Sequence, residues 1–326
     1  MVFLIATIAS TIPLSMYTQS QEVIIMKKIT PKEKELLLQI LEYGILSTNQ
    51  IMLINGVGKR EVQRKLENLR KKDLITFHNI KKEGRKGRTE YVSSISEIGA
   101  TIIRNEFDGQ FYFSSDKIIF KNIYTAKHQL LLNWFRIHLN FLHIKLPDLT
   151  VDFISATTPF LPLKKNGLPL ISEQFETKLL KINFTPDGVF CIKNKTQNKS
   201  LLFMLEVDMG TESLTTRSSK TNNIATKIKN YSVYFQTEKY KRYQKKWNTL
   251  FNGFRLLFLT NSLEREEMIC KQVGSDRSNN FVWISTKLEL FEKSLGGKIW
   301  VSGGNLHTPK ESIIGPSLNY EESLFL

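Results

Sequence analysis

Three acidic residues fall at positions where their side chains could work together. Asp187 follows Pro186 and precedes the apolar run Gly188-Val189-Phe190, and Glu206 and Asp208 close the apolar stretch Leu201 to Val207. Residues two apart on a strand project from the same face, so Glu206 and Asp208 share a side. A hairpin partner starting at Asp187 would bring a third carboxylate beside them. Three acids converging at a strand end would suit a hard cation such as Mg²⁺, whose charge offsets their mutual repulsion. Without a cation, at least one of them should hold its proton above the usual range. Asp187, Glu206 and Asp208 are therefore the expected metal ligands and catalytic residues.

Other side chains near this set carry weaker expectations. Lys227, Tyr231 and Tyr234 recur at i, i+4 and i+7 and so share one helix face. Tyr231 is the hydroxyl expected near the acids, and the same spacing is equally that of a face packed on a sheet. His128 lies on an amphipathic stretch and either faces the carboxylates or packs in the core. Glu212 closes the string Glu206-Val207-Asp208-Met209-Gly210-Thr211-Glu212. A tyrosine-nucleophile mechanism normally wants a His-x-His metal motif, and His138 and His143 stand five apart with no third histidine near them.

The elements that must position these residues form the second of two expected units. A 326-residue chain is about twice a typical domain. A long helix is expected over Tyr124 to His143. Strands follow over Leu179–Phe184, Gly188–Ile192, Leu201–Val207, Arg255–Thr260 and Phe281–Ser285. Helices are expected around Ser213–Tyr234, Leu263–Gln272 and Leu288–Ser294. Early strands close as a hairpin and later ones alternate with helices, which implies a mixed sheet covered on both faces.

The first unit reads as helix signals in quick succession. Thr30, Pro31 and Glu33 make a capping box with proline at the first helical position, and Gly44 ends that helix. Ser47 caps a second helix, Asn55-Gly56-Val57-Gly58 turns the chain, and Lys59 to Lys72 forms a third with Val62, Leu66 and Leu69 inward. Strands over Leu74–Asn79 and Thr89–Ser93 flank a basic tip, and Glu97 to Phe107 closes the unit behind Ser96. Three helices and a hairpin are the winged helix-turn-helix order, in which the third helix enters the major groove. Arg60, Arg64, Lys65 and Arg70 on that helix, with Lys82, Arg85, Lys86 and Arg88 at the tip, are the expected DNA contacts. A protein-interaction module with a solvated basic face would show the same pattern.

Charge points the same way. Forty-six Lys and Arg against thirty-one Asp and Glu leave +15, which draws polyanions. Residues 26–95 hold sixteen basic and eight acidic residues, so +8 sits in about a fifth of the chain. Two cysteines, Cys191 and Cys270, make neither a disulfide framework nor a four-cysteine zinc site, and a reducing cytoplasm is expected. The apolar stretch Val2–Leu14 is shorter than the ~20 residues of a spanning helix. No Lys or Arg precedes Lys27, so the basic start of a signal peptide is missing. Met26 is an alternative start, with 1–25 an apolar extension. The expected layout is then 26–108 winged helix, 117–300 α/β domain and 301–326 irregular tail. No P-loop, dinucleotide-binding or nucleophile-elbow motif occurs.

Pro186-Asp187 followed by Glu206-Val207-Asp208 resembles the PD-(D/E)xK nuclease signature, with Asp208 where that family has lysine. The resemblance implies a restriction-endonuclease-like α/β domain, in which Lys220 or Lys227 from the next helix would have to replace the missing lysine as a catalytic residue. A closer resemblance spans about Met26 to Trp300. The winged helix, Thr125-Ala126-Lys127-His128-Gln129-Leu130, Pro186-Asp187-Gly188-Val189-Phe190, Leu205 to Glu212, and Lys227 with Tyr231 and Tyr234 together resemble the replication-relaxation family. That resemblance implies bacterial plasmid or mobile-element replication, relaxation or mobilisation. Duplex DNA is the expected partner, with plasmid replication or mobilisation proteins and a homodimer as further ones, and no stable membrane association. Mg²⁺ is the one cofactor considered. The readings left open are a DNA-binding accessory protein, a Mg²⁺-dependent endonuclease, and a winged-helix transcriptional regulator.

Overall fold

A computed structural model describes residues 29–81, 89–106, 120, 125–156, 168–177, 181–214, 223–316, 318 and 320–322. The first helix, α1 (Pro31–Tyr43), starts at the expected capping box. Thr30 Oγ1 accepts from Glu33 N at 3.2 Å, and Glu33 Oε2 accepts from Thr30 N at 2.9 Å. Leu36, Leu37, Ile40 and Leu41 are buried at helical spacing. Gly44 then turns the chain at φ +76°, a region that costs a β-carbon dearly.

Ile45–Ser47 forms β1, a strand the periodicity does not signal, because three residues are too short to alternate visibly and the pairing is with Val92, Ser93 and Ser94, almost fifty positions on. Ser47 and Gln50 cap α2 (Thr48–Asn55) reciprocally, Gly56 turns left-handed, and α3 (Lys59–Lys71) follows with Val62, Leu66 and Leu69 buried. Strands β2 (Ile75–Lys81) and β3 (Thr89–Ile95) pair antiparallel to complete a sheet of order β1-β3-β2. The basic tip carrying Lys82, Arg85, Lys86 and Arg88 lies outside the described residues. Helix α4 (Glu97–Glu106) is capped by Ser96, whose Oγ accepts from Gly99 N at 3.0 Å. Gly99 lets α4 approach Leu74, whose carbonyl oxygen would stand 2.2 Å from any added β-carbon.

Helix α5 (Ala126–Lys145) is shared by both units. Leu131, Leu132, Phe135, Leu139 and Leu142 pack on the large sheet, while Ile137, Trp134 and Phe141 join the core of the first unit. A helix apolar on both sides is one that is buried on both. Its polar side chains are used as clamps. Asn133 Nδ2 donates to the carbonyls of Tyr43 (3.1 Å) and Ile45 (2.6 Å), Gln129 Nε2 donates to Tyr43 O (3.1 Å), and Gln50 Nε2 returns a bond to Leu130 O (2.9 Å). Arg136 reaches Glu42 at 2.7 Å and lies over the Tyr43 ring.

The large sheet has the order β11-β10-β9-β8-β7-β4. Strands β4 (Leu149–Ser155), β7 (Gly188–Asn194) and β8 (Lys199–Asp208) run antiparallel, and β8, β9 (Arg255–Thr260) and β10 (Val282–Thr286) run parallel, with β11 (Val301–Ser302) antiparallel at the edge. The expected mixed sheet is present, covered by α5 on one face and by α6 (Ile224–Gln236) and α8 (Leu263–Val273) on the other. Strand β4 and β5 (Glu173–Glu176) extend the expected set, β5 forming a separate hairpin with β6 (Lys181–Phe184), the strand expected over Leu179–Phe184. So does the short helix α7 (Arg242–Trp247), and α9 (Lys287–Lys293) closes the order. Helix α6 begins at Ile224, not at Ser213, because Asn223 caps it by accepting from Thr226 N at 2.8 Å. The fold is thus mixed α and β. Among the described residues no helix is long and apolar enough to cross a membrane.

Candidate carboxylate-lysine site and basic helix face

The site forms where β8 ends. Met204 packs in the core under α6, while Leu205 and Val207 pack on the α5 side. Glu206 and Asp208 therefore project toward α6, as the parity of the strand requires. The β7–β8 hairpin brings in Asp187, held by Asp187 N donating to Leu205 O at 3.0 Å and by Val207 N donating to Asp187 Oδ2 at 2.8 Å. From the start of α5, His128 Nε2 lies 3.1 Å from the same Asp187 oxygen.

Helix α6 supplies the remaining partners. Tyr231 OH donates to Glu206 Oε1 at 2.5 Å, and Lys227 Nζ donates to Glu206 Oε2 at 3.0 Å and to Glu212 Oε1 at 2.9 Å. Lys227 and Tyr231 are one turn apart on one face, so both oxygens of one carboxylate are met by a single helix. Asp187, Glu206, Glu212, Lys227, Tyr231 and His128, six residues expected from sequence, thus gather at one strand end as two hydrogen-bonded sets, His128 with Asp187 and Glu206 with Tyr231, Lys227 and Glu212. Lys220 lies outside the described residues.

The electrostatics follow from burial. Glu206 is 3% exposed. Desolvation pushes its carboxyl above the usual range, with the Asp187 charge acting in the same direction and Lys227 and Tyr231 opposing. Burial disfavours the Lys227 ammonium, but Glu206 and Glu212 outweigh it and hold the lysine above its ordinary value. For His128 burial works against the imidazolium, and the hydrogen bond and charge of Asp187 prevail, raising it. The Tyr231 phenol is raised well above its usual value by burial and by Glu206, so it stays a neutral donor.

Asp208 departs from the expected trio of acids. Its carboxylate is taken by Arg265 of α8, through Nε and, at 3.4 Å, Nη2, and Gly210 N donates to it at 3.1 Å. Arg265 Nη2 also donates to Glu212 O at 2.6 Å. The reason is placement: Ser262 caps α8 and sets Arg265 in its first turn, at the end of β9 beside β8. Arg265 is the site residue that sequence reading missed. Fifty-seven positions separate it from Asp208, and its surroundings Glu264-Arg265-Glu266 read as an ordinary solvated turn. Among the described residues no group of three His, Cys, Asp or Glu side chains is placed to hold a metal ion. With Asp208 held by Arg265, the expected set keeps Asp187 and Glu206, and both Glu206 oxygens are hydrogen-bonded to Lys227 and Tyr231.

On the first unit, α3 turns Val62, Leu66 and Leu69 into the core and leaves Arg60, Arg64 and Arg70 exposed. Lys65 is drawn to Glu61 at 2.9 Å and Arg70 to Glu67 at 2.6 Å. Arg60 and Arg64, one turn apart, are the guanidinium pair presented outward.

No curated protein matches the chain. The family described as replication-relaxation matches residues 37–250, about two thirds of the length. The matched span runs from α1 past α7 and includes Asp187, Glu206, Lys227 and Tyr231. The chain belongs to the replication-relaxation family.

Proposed function

We propose that this chain is a DNA-binding protein acting in the replication, relaxation or mobilisation of a plasmid or mobile element. Family membership supports the context. The observation that carries DNA binding is the exposed Arg60–Arg64 face of α3 on a unit whose apolar side is fully used. In this reading the first unit is a winged helix and α3 is the helix that enters the major groove. Arginines so presented bind phosphate oxygens or guanine edges bidentately. The shared helix α5 then fixes the DNA-binding unit relative to the sheet. Mobility-shift titration of duplex DNA tests this, comparing wild type with Arg60→Ala/Arg64→Ala. At least a tenfold loss is expected, and equal affinity overturns the assignment of α3.

A second reading, a nuclease-like domain with Mg²⁺-dependent strand cleavage, is favoured by one specific contact: Lys227 meets Glu206 from the next helix, where a lysine is wanted once Asp208 stands in the motif position. Mg²⁺ is commonly bound by one or two carboxylates with waters and phosphate oxygens, a pattern that Asp187 and Glu206 fit without Asp208. When bound, it would supply an activated water and charge at the phosphoryl oxygens. Tyr231 orients Glu206, and His128 orients Asp187. Supercoiled plasmid incubated with Mg²⁺ or EDTA separates the readings on a gel. Nicked or linear product that needs the ion and is lost in Glu206→Gln and Asp187→Asn supports cleavage. A mobility shift without strand breakage, unchanged in both variants, leaves an accessory DNA-binding protein.

A further inference from the structure

A second concentration of charge lies on the α/β domain, away from both features above. Residues 193–199 carry Lys193, Lys195 and Lys199, and residues 239–246 carry Lys239, Lys241, Arg242, Lys245 and Lys246, with no acid in either stretch. Eight cations fall in fifteen residues. The two stretches are neighbours in space. Lys193 Nζ donates to Trp247 O, and Thr249 Oγ1 to Ser200 Oγ at 2.8 Å, so the β7–β8 turn and α7 make one surface.

The surface is rigid for a reason visible in its sequence. Tyr240, Tyr243 and Trp247 alternate with the basic residues and are all buried, with Tyr243 stacked on Trp247 and Trp247 Nε1 donating to Asp152 at 2.6 Å. The aromatic side anchors the segment and the basic side faces water. Two of the cations have acidic partners, Lys241 with Glu238 (2.6 Å) and Arg242 with Glu173 (2.8 Å from Nε). Lys195, Lys199, Lys239, Lys245 and Lys246 are exposed, and among the described residues none of the five is in an ion pair. The Lys195 ammonium donates to the carbonyl of Pro147 at 3.2 Å. Concentrated, unneutralised lysines on a fixed platform raise the local potential and draw a polyanion.

We infer that the surface formed by the β7–β8 turn and α7 is a second contact for the phosphate backbone of nucleic acid. A membrane fits less well, since the apolar side of the segment is spent in the core and, among the described residues, the exposed large apolar side chains beside it are Leu250 and, less so, Leu201. The patch sits at the opposite end of β8 from Glu206, about 23 Å away for seven residues at ~3.3 Å each. A duplex held by α3 and by this platform is gripped at two places, independently of sequence at the second. The inference rests on the reading of the chain as a DNA-binding protein.

The test is fluorescence anisotropy of a labelled duplex of about 30 base pairs against salt, using the full chain. The variants are Lys239→Ala/Lys245→Ala/Lys246→Ala and, separately, Arg60→Ala/Arg64→Ala. The lysine variant should bind roughly tenfold or more weakly, with a log–log salt slope shallower by up to about 0.9 per lost contact. An affinity and slope equal to wild type, while the arginine variant loses binding, overturns this contact and leaves the α3 reading intact. No duplex binding by wild type removes both. Binding to phosphatidylglycerol vesicles that the lysine variant loses, with duplex affinity unchanged, assigns the patch to a lipid surface and overturns the inference.

Discussion

Lys227 reaches from the first turn of α6 to the end of β8, with its ammonium 3.0 Å from Glu206 Oε2 and 2.9 Å from Glu212 Oε1. The lysine bridges a carboxylate 4% exposed and one a third exposed, so it neutralises the deeper acid while remaining open to solvent on one side.

Removing Lys227 leaves Glu206 buried and without its cation, whereas a lysine that loses Glu206 keeps Glu212. Lys227→Met should cost about 3–5 kcal/mol by urea unfolding. Glu206→Gln, which keeps the hydrogen-bonding shape, should cost less. The double variant should be more stable than the sum of the two losses implies, by a coupling of about 0.5–3 kcal/mol. Strict additivity would mean that the pair is not formed.

His138 gives a stability term with a definite pH window. It is fully buried beside Phe291, its Nδ1 is 3.4 Å from Ser294 Oγ and its Nε2 has no partner among the described residues. Burial lowers its pKa from 6.5 to about 4. The unfolded chain therefore takes up the proton first, and stability falls as pH drops from 6.5 through 4. The loss should approach about 3 kcal/mol at ~1.36 kcal/mol per unit. His138→Leu should flatten that part of the pH–stability curve, and an unchanged slope would place the loss elsewhere.

The join between the two units is held by side chains that bind backbone. Asn133→Leu removes the side-chain donor of the Ile45 carbonyl in a buried setting, while Tyr43 O keeps Gln129 Nε2. A loss of about 1–3 kcal/mol per orphaned group is expected from thermal or chemical denaturation. A neutral result would show that water replaces the amide.

What the sequence made legible was what is local or periodic. Thr30 with Glu33, and Ser47, announce helix starts, and both caps form, the second completed by Gln50. The two-residue spacing of Glu206 and Asp208 was enough to place them on one face, and the four-residue spacing of Lys227 and Tyr231 to bring both to Glu206. The misses come from pairing at a distance. Ile45–Ser47 becomes a strand only because β3 lies alongside, and Leu149–Ser155 only because β7 does. Arg265 meets Asp208 through the parallel register of β8 and β9, which no spacing in the chain encodes. The expected three-acid set was a statement about direction along a strand. It left out the cation that the neighbouring strand delivers.

Close packing at Gly99 offers a check on the first unit. Gly99→Ala would drive a methyl to 2.2 Å from the Leu74 carbonyl, a backbone atom with little freedom to yield. Destabilisation of about 1–3 kcal/mol or more is expected from thermal melts. An unchanged melting temperature would mean that α4 docks differently.

The central claim, that the chain binds DNA through α3, is tested most directly by anisotropy of a labelled duplex titrated with the full-length protein at several salt concentrations. The account predicts binding that weakens steeply and log-linearly with salt, and at least tenfold weaker affinity in Arg60→Ala/Arg64→Ala. Absence of binding at low salt, or binding indifferent both to salt and to the two arginines, would contradict it.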